Sequence, residues 1–227
     1  MDQFTEKVNS DIKNKCSQGK CYFTHSVSTN DVLEGIKIMK IGKRDGRSEL
    51  YSDHIINGCD SLPVYLSLLF TGMLCHGTSP RDICKATIVP VPKNKRKSLS
   101  DSSNYRAIAL SNVFSKLLDL IVLKCNREVP STSDLQFGFK SDHSTTQCTF
   151  VLSEVIQHYK NNNSSVFLMM LDCSKAFDRV NYIKLFKLLS EKGLCPLTIR
   201  LLLFIYINQS LCVSWADTKS NEFCVSN

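Results

Sequence analysis

Apolar residues recur along this chain with two periods. At helical spacing, Val32, Leu33, Ile36 and Met39 form a stripe that opens at Ser28-Thr29-Asn30-Asp31 and stops in the glycine- and charge-rich run IGKRDGRSE. A second helix is predicted over 64–74, ending at His76-Gly77, and a third over about 112–124, with Val113, Phe114, Leu117, Leu118 and Ile121 on its buried face. The clearest helix start is Ser144, where Gln147 three residues on completes a capping box. Behind it Cys148, Val151, Leu152, Val155, Ile156 and Tyr159 share one side, until the turn NNNSS. Further helices are expected over 182–191, ended by Gly193, and from Pro196 through LTIRLLLFIYI.

Extended segments are fewer. Residues 86–91 and 105–110 are short β-like runs on either side of a polar, lysine-rich connection. Pro90 and Pro92 cannot donate to a ladder, so the first run is expected at a sheet edge, or to end early. Residues 166–171 read as a buried strand, and the tail SLCVSWADTKSNEFCVSN as a β-hairpin turning around 217–220. The first thirty residues are polar and are expected to be loose up to Ser28. The order helices, hairpin, helices, strand, helices, hairpin indicates an α/β or α+β fold without βαβ regularity.

Composition narrows the class. With 43% hydrophobic and 22% charged residues the chain reads as an ordinary globular protein. A net charge of +7 is compatible with a nucleic-acid partner without establishing one. The eleven cysteines are scattered, odd in number and mostly within apolar segments, which predicts reduced, buried thiols in an intracellular protein, nuclear or cytoplasmic. Cys16 and Cys21 lack a second pair at metal-ligand spacing. The opening MDQFTEKVNS is no signal peptide, and the longest uncharged run, 61–80, has too many prolines, glycines and hydroxyls for a membrane span. In the lysine-rich connection, Lys93, Lys95, Arg96, Lys97 and Arg106 admit two readings. They are a solvated hairpin tip, or a mobile flap that neutralises phosphates.

The run FLMMLDCSKAFDRV, 167–180, places an acid, Asp172, at the end of an apolar strand and a second, Asp178, six residues on. A strand end is a rigid mount for a carboxylate that binds a hard cation. The competing reading makes Asp172 a turn cap and Asp178 the N-cap of the helix that follows, and for Asp178 the cap is preferred.

LDCSKAFDRV resembles the first catalytic motif of the reverse transcriptases of non-LTR (LINE-type) retrotransposons. GKRDG, ATIVPVPK with NYRAIALSN, and LQFGFKSDHSTTQC resemble further segments of that family, in the family's order, and the likeness runs from about residue 28 to the end. The resemblance implies a right-hand polymerase fold, α/β or α+β and incomplete: a segment 1–27, a fingers region over 28–150 and a partial palm over 151–227. It implies template-directed nucleotidyl transfer with an RNA template, a DNA primer, deoxynucleoside triphosphates and two Mg²⁺ ions, and no membrane. By position, Asp172 would be a catalytic metal carboxylate with the Cys173 carbonyl as a second metal contact, and Lys175 and Ala176 would border the nucleotide phosphates. Phe177 would close against the sugar and exclude a 2′-hydroxyl. Lys93 and Arg106 would grip the triphosphate, and Gly138 and Phe139 would lie along the template channel. Ala107 stands where the family commonly has proline.

The family's Gly-x-x-Gln-Gly segment and paired aspartates do not occur among these 227 residues. One carboxylate would stand where the family uses about three, so this chain alone is expected to be inactive. Two other readings stay open: a non-catalytic protein that binds RNA or DNA, and a functionless relic of a decayed element.

Overall fold

The computed structural model describes residues 2–16, 26–47, 50–126, 132–174 and 176–225. The elements are α1 (Asp2–Asp11), α2 (Thr29–Ile38), α3 (Ser52–Ile56), α4 (Leu62–His76), β1 (Lys85–Pro92), β2 (Tyr105–Ser111), α5 (Val113–Cys125), α6 (Thr145–Asn161), α7 (Tyr182–Glu191), α8 (Pro196–Ile207), β3 (Ser210–Trp215), β4 (Thr218–Lys219) and β5 (Phe223–Cys224). They form a mixed α/β structure with a five-stranded mixed sheet. The chain divides into two compact units, residues 1–129 with 180–227, and residues 130–179.

In the first unit the sheet order is β2-β1-β3-β4, with β5 also on β3. β1 runs antiparallel to β2, from Ala86 opposite Ser111 to Pro92 opposite Tyr105. It also runs parallel to β3, from Lys85 beside Ser210 to Ile88 beside Val213. The expected edge strand is therefore central over its first half, and open on the β3 side only beyond Ile88. The prolines explain the changeover. The Lys93 N–H donates to the Asn104 carbonyl, so ladder alternation turns the N–H groups of residues 87, 89 and 91 toward β2. Pro90 and Pro92 then face the other way, beyond the last β3 pair, where their missing donors cost nothing. The tail hairpin turns one residue pair earlier than expected, with Trp215 opposite Thr218 and Ala216 at φ +48°.

The helices pack chiefly on one another. Val32, Phe70, Leu74, Leu117, Leu118 and Ile121 form the centre of the main core, contributed by α2, α4 and α5. α8 serves two clusters at once: Leu197 and Leu201 enter the main core, while Ile199 and Leu203 pack with Phe186 and Val8. A helix apolar on all sides is expected to be buried, and this one is. Its Arg200 donates to the carbonyls of Leu74 and Cys75 at 3.3 and 2.7 Å, closing the end of α4 beside Gly77, which takes φ +65°. The capping box at Ser28 forms with Asp31, and Lys124 of α5 pairs with Asp31 and Glu34 of α2.

The N-terminus departs from expectation. Residues 2–16 are helical, because Phe4, Val8 and Ile12, four apart, place an apolar stripe against Phe186, Leu194, Ile199 and Leu203. The remainder of the expected loose segment, 17–25, lies outside the described residues. The thiols also differ. The nine cysteines described are free, but only Cys84, Cys195 and Cys212 are buried.

The second unit holds α6, whose Ser144–Gln147 capping box forms in both directions, at 2.9 and 3.3 Å. No residue of α6 is buried; of its apolar stripe Leu152 and Ile156 are half-buried and the rest is exposed. The expected strand 166–171 is no strand: no described segment ladders with it. Without a partner its backbone has only water to bond, and Phe167, Met169 and Leu171 stand 95, 84 and 89% exposed.

Asp119 of α5 keeps an edge open to solvent, yet the packing around it pushes its carboxyl up to about 6. The Tyr206 phenol is raised by its own burial, then by Asp119 and Tyr182. The carboxyl is a weaker acid folded than unfolded, so its ionised form opposes folding fully above about pH 6. That opposition is lost between about pH 6 and pH 4, so Asp119→Asn should raise the melting temperature at pH 7.5, with the gain shrinking to nothing as the scan moves to pH 4. Leu117 is fully buried and Leu123 is 58% exposed on the same helix. In urea unfolding Leu117→Ala should cost about 2–5 kcal/mol. Leu123→Ala should stay within about 0.5 kcal/mol.

Candidate functional site

The basic connection between β1 and β2 is a closed structure rather than a loose flap. Its organiser is Asn104, 5% exposed, whose Nδ2 donates to the carbonyls of Asn94 and Ser98 at 2.9 and 3.2 Å. Its Oδ1 accepts from the Asn94 N–H at 3.2 Å, and its carbonyl accepts from the Lys93 N–H. Asp101 accepts from the Ser103 N–H and hydroxyl, and the Tyr105 hydroxyl donates to the Leu99 carbonyl at 2.9 Å. Every bond is short in sequence, so the loop can close on itself without help from elsewhere. Lys93 Nζ donates to the Ser103 carbonyl at 2.8 Å, at the neck of the loop. Lys95, Arg96 and Lys97 are exposed on the tip, and Arg106 is exposed on β2 opposite Val91. Like charges gathered on a pre-formed loop meet a polyanion without first losing loop entropy.

The GKRDG run lies against the base of the same sheet. Gly42 turns at φ +70° and Asp45 is buried. Gly46 packs so closely on Thr87 that an added Cβ would stand 2.5 Å from the Thr87 Cβ, and Thr87 Oγ1 donates to the Gly46 carbonyl. Arg47 pairs with Glu222, which also accepts from the Ser210 hydroxyl and faces Lys85 at 3.7 Å. The bond from Arg47 is the main reason that the Glu222 carboxyl sits below the usual range. Asp45, Gly46, Arg47, Asp82, Lys85, Leu110 and Asn112 line a cavity of about 200 Å³ there. Both signs of charge border it, so the run's visible work is to clamp β1 and the C-terminal strands.

The second unit carries the acid. Asp172, Cys173 and Ala176 are exposed in the irregular segment and the turn after it; Lys175 lies outside the described residues. Phe177 begins a short 3₁₀ turn, Phe177–Arg179, and is 78% exposed. Phe139, at φ +58°, stands edge-on to Phe177 with ring centroids 6.2 Å apart, so two candidates 38 residues apart in sequence meet. Gly138 touches nothing within 4 Å of a would-be Cβ, and Gln136 Nε2 donates to its carbonyl. The cap reading of Asp178 is overturned: Asn181 caps α7 by accepting from the Lys184 N–H, while Asp178 lies inside the 3₁₀ turn. Asn181 directly precedes the first helical residue, where a cap's oxygen reaches the free N–H groups, and Asp178 is three residues too early.

Lys93 and Arg106 thus belong to one unit, and Asp172, Cys173, Ala176, Phe177, Gly138 and Phe139 to the other. Sequence reading missed Asn104 as organiser of the loop, although a lone asparagine before a β-run is a turn signal. It also missed Trp215, 53% exposed, whose ring lies 5.1 Å from that of Tyr105.

Among the described residues no three His, Cys, Asp or Glu side chains cluster as a metal site would require. One carboxylate and one carbonyl are too small a donor set for a Mg²⁺ pair. No helix among the described residues is long and apolar enough to cross a membrane.

Residues 91–225, more than half of the chain, match the family model described as reverse transcriptase (RNA-dependent DNA polymerase). The chain belongs to that reverse transcriptase family. It is similar to the probable RNA-directed DNA polymerase from transposon BS of Drosophila melanogaster, 26% identical over 163 residues, which are 68% of this chain and 17% of that protein. It is also similar to the RNA-directed DNA polymerase from mobile element jockey of the same organism, 26% identical over 160 residues, with the same two shares covered. The similarity to these retrotransposon polymerases is distant, and the chain matches about a sixth of their length.

Proposed function

We propose that the chain is part of an RNA-directed DNA polymerase of the non-LTR type, with the fingers over 28–150 and the first part of the palm over 151–227. Its substrates are an RNA template, a DNA primer and deoxynucleoside triphosphates. The observation that carries this reading is the β1–β2 hairpin. It holds the quoted motifs ATIVPVPK and NYRAIALSN in one antiparallel register, with a hydrogen-bonded basic tip between them.

Each remaining role is the one that the family resemblance implies for its position. Lys93 and Arg106 grip the triphosphate, Arg106 by a planar fork suited to phosphate oxygens. Lys175 and Ala176 border the same phosphates. Phe177 excludes a 2′-hydroxyl by occupying its space, and Gly138 and Phe139 line the template path. Asp172, with the Cys173 carbonyl beside it, is one of the several oxygen donors that Mg²⁺-dependent transfer needs. A second reading, nucleic-acid binding without catalysis, is favoured by the same basic tip and by the small donor set.

Primer extension and RNA binding by the purified 227-residue chain separate the two. Binding to a single-stranded RNA should weaken steeply with salt, and changing Lys93, Lys95, Arg96 and Lys97 to Gln should flatten that dependence by about 3 units of slope. Asp172→Asn should leave binding unchanged, and no template-dependent extension should appear. Extension that disappears in Asp172→Asn would overturn the expectation of inactivity.

A further inference from the structure

The chain's only tryptophan, Trp215, sits at the end of β3 with 53% of its surface open. Burial does not account for it, since a smaller residue would close the β3–β4 turn equally well. Its one described ring neighbour is Tyr105, 5.1 Å away and tilted by 57°. Tyr105 in turn is fixed at both ends. Its backbone begins β2 opposite Pro92, and its hydroxyl donates to the Leu99 carbonyl within the basic loop. A rigid aromatic platform therefore adjoins the loop that gathers Lys93, Lys95, Arg96 and Lys97, and Arg106 directly follows Tyr105. Proteins that hold single strands combine these two parts, a basic track for the backbone and an exposed ring for a base.

We infer that Trp215 is a base-stacking site: it takes one nucleobase of a single-stranded nucleic acid whose phosphates the Asn104-closed loop holds. This rests on the basic tip being a phosphate-binding surface, and adds to it a second, uncharged contact from a strand that the tip's own sequence does not include. The β1–β3 ladder is what brings that strand alongside, since β3 enters the sheet in parallel beside β1. Tyr105 is the positioning residue, holding the tryptophan ring by edge contact and the loop by its hydroxyl.

The test uses the full chain and the intrinsic fluorescence of Trp215, with two probes. A 12-nucleotide oligoadenylate carries bases and phosphates; inorganic polyphosphate carries phosphates alone. Oligoadenylate should quench the emission in a saturable way. Polyphosphate should compete it off at low salt without quenching. Trp215→Ala should weaken oligoadenylate binding, read by anisotropy of an end-labelled strand, by roughly five- to a hundredfold. It should leave polyphosphate binding unchanged, and Trp215→Phe should restore most of the loss. Equal binding of oligoadenylate by wild type and Trp215→Ala, with both variants folded by circular dichroism, would overturn the inference. Loss of both probes in Trp215→Ala would also overturn it, since that marks a structural role. If the tip-neutralised chain binds polyphosphate as well as wild type, the phosphate-binding reading of the tip fails instead. Quenching by oligoadenylate in that same variant would leave the stacking site standing alone.

Discussion

The two-sided ladder of β1 is the constraint on which the first unit depends. Over Ala86–Ile88 this strand bonds β2 on one side and β3 on the other, and beyond Ile88 it bonds β2 alone. A register set this way is hard to slip, because one residue of displacement would turn Thr87 away from Gly46 and bring the prolines into the ladder. Each functional feature of the unit hangs from that register. The basic loop is the hairpin's tip, the GKRDG run is pressed on Thr87, and Trp215 reaches the loop because β3 is laid along β1.

The helices of the first unit form two apolar clusters, and α8 contributes buried residues to both, with Ile12 packed against each. The second unit has no such arrangement. Its helix is well capped and its apolar residues fall on one side, but none of them is buried. Local signals suffice to start a helix, whereas burial of its stripe needs a partner surface. The same holds for residues 166–171. Their sequence is as apolar as any strand in the protein, yet a strand exists only where another backbone accepts its hydrogen bonds.

What could be read from sequence follows this division between local and distant causes. The caps at Ser28 and Ser144, the glycine stop at Gly77 and the stripe of α5 depend on residues within a turn of one another, and each is found where expected. The parallel pairing of β1 with β3 joins residues more than a hundred positions apart, and no local pattern announces it. α1 was hidden by its polar composition, although Phe4, Val8 and Ile12 carried the stripe. Asp178 lost the cap to Asn181 by three residues, a distance within which sequence signals for a cap compete and only geometry decides. In the candidate site, single motifs marked the residues, but the meeting of Phe139 with Phe177 and of Tyr105 with Trp215 required the chain to be folded.

The two sets of candidate residues are in unlike states of preparation. The basic loop has its backbone and buried amide groups bonded within itself, so its cations stand ready before any ligand arrives. Asp172 is mounted on a segment with no ladder, and a carboxylate that is to share a metal ion needs its position fixed to a fraction of an ångström. Electrostatic capture of a polyanion tolerates loose geometry, whereas two-metal chemistry does not. The loop's cations meet the looser of these two demands, whereas the segment of Asp172 has no ladder to meet the stricter one.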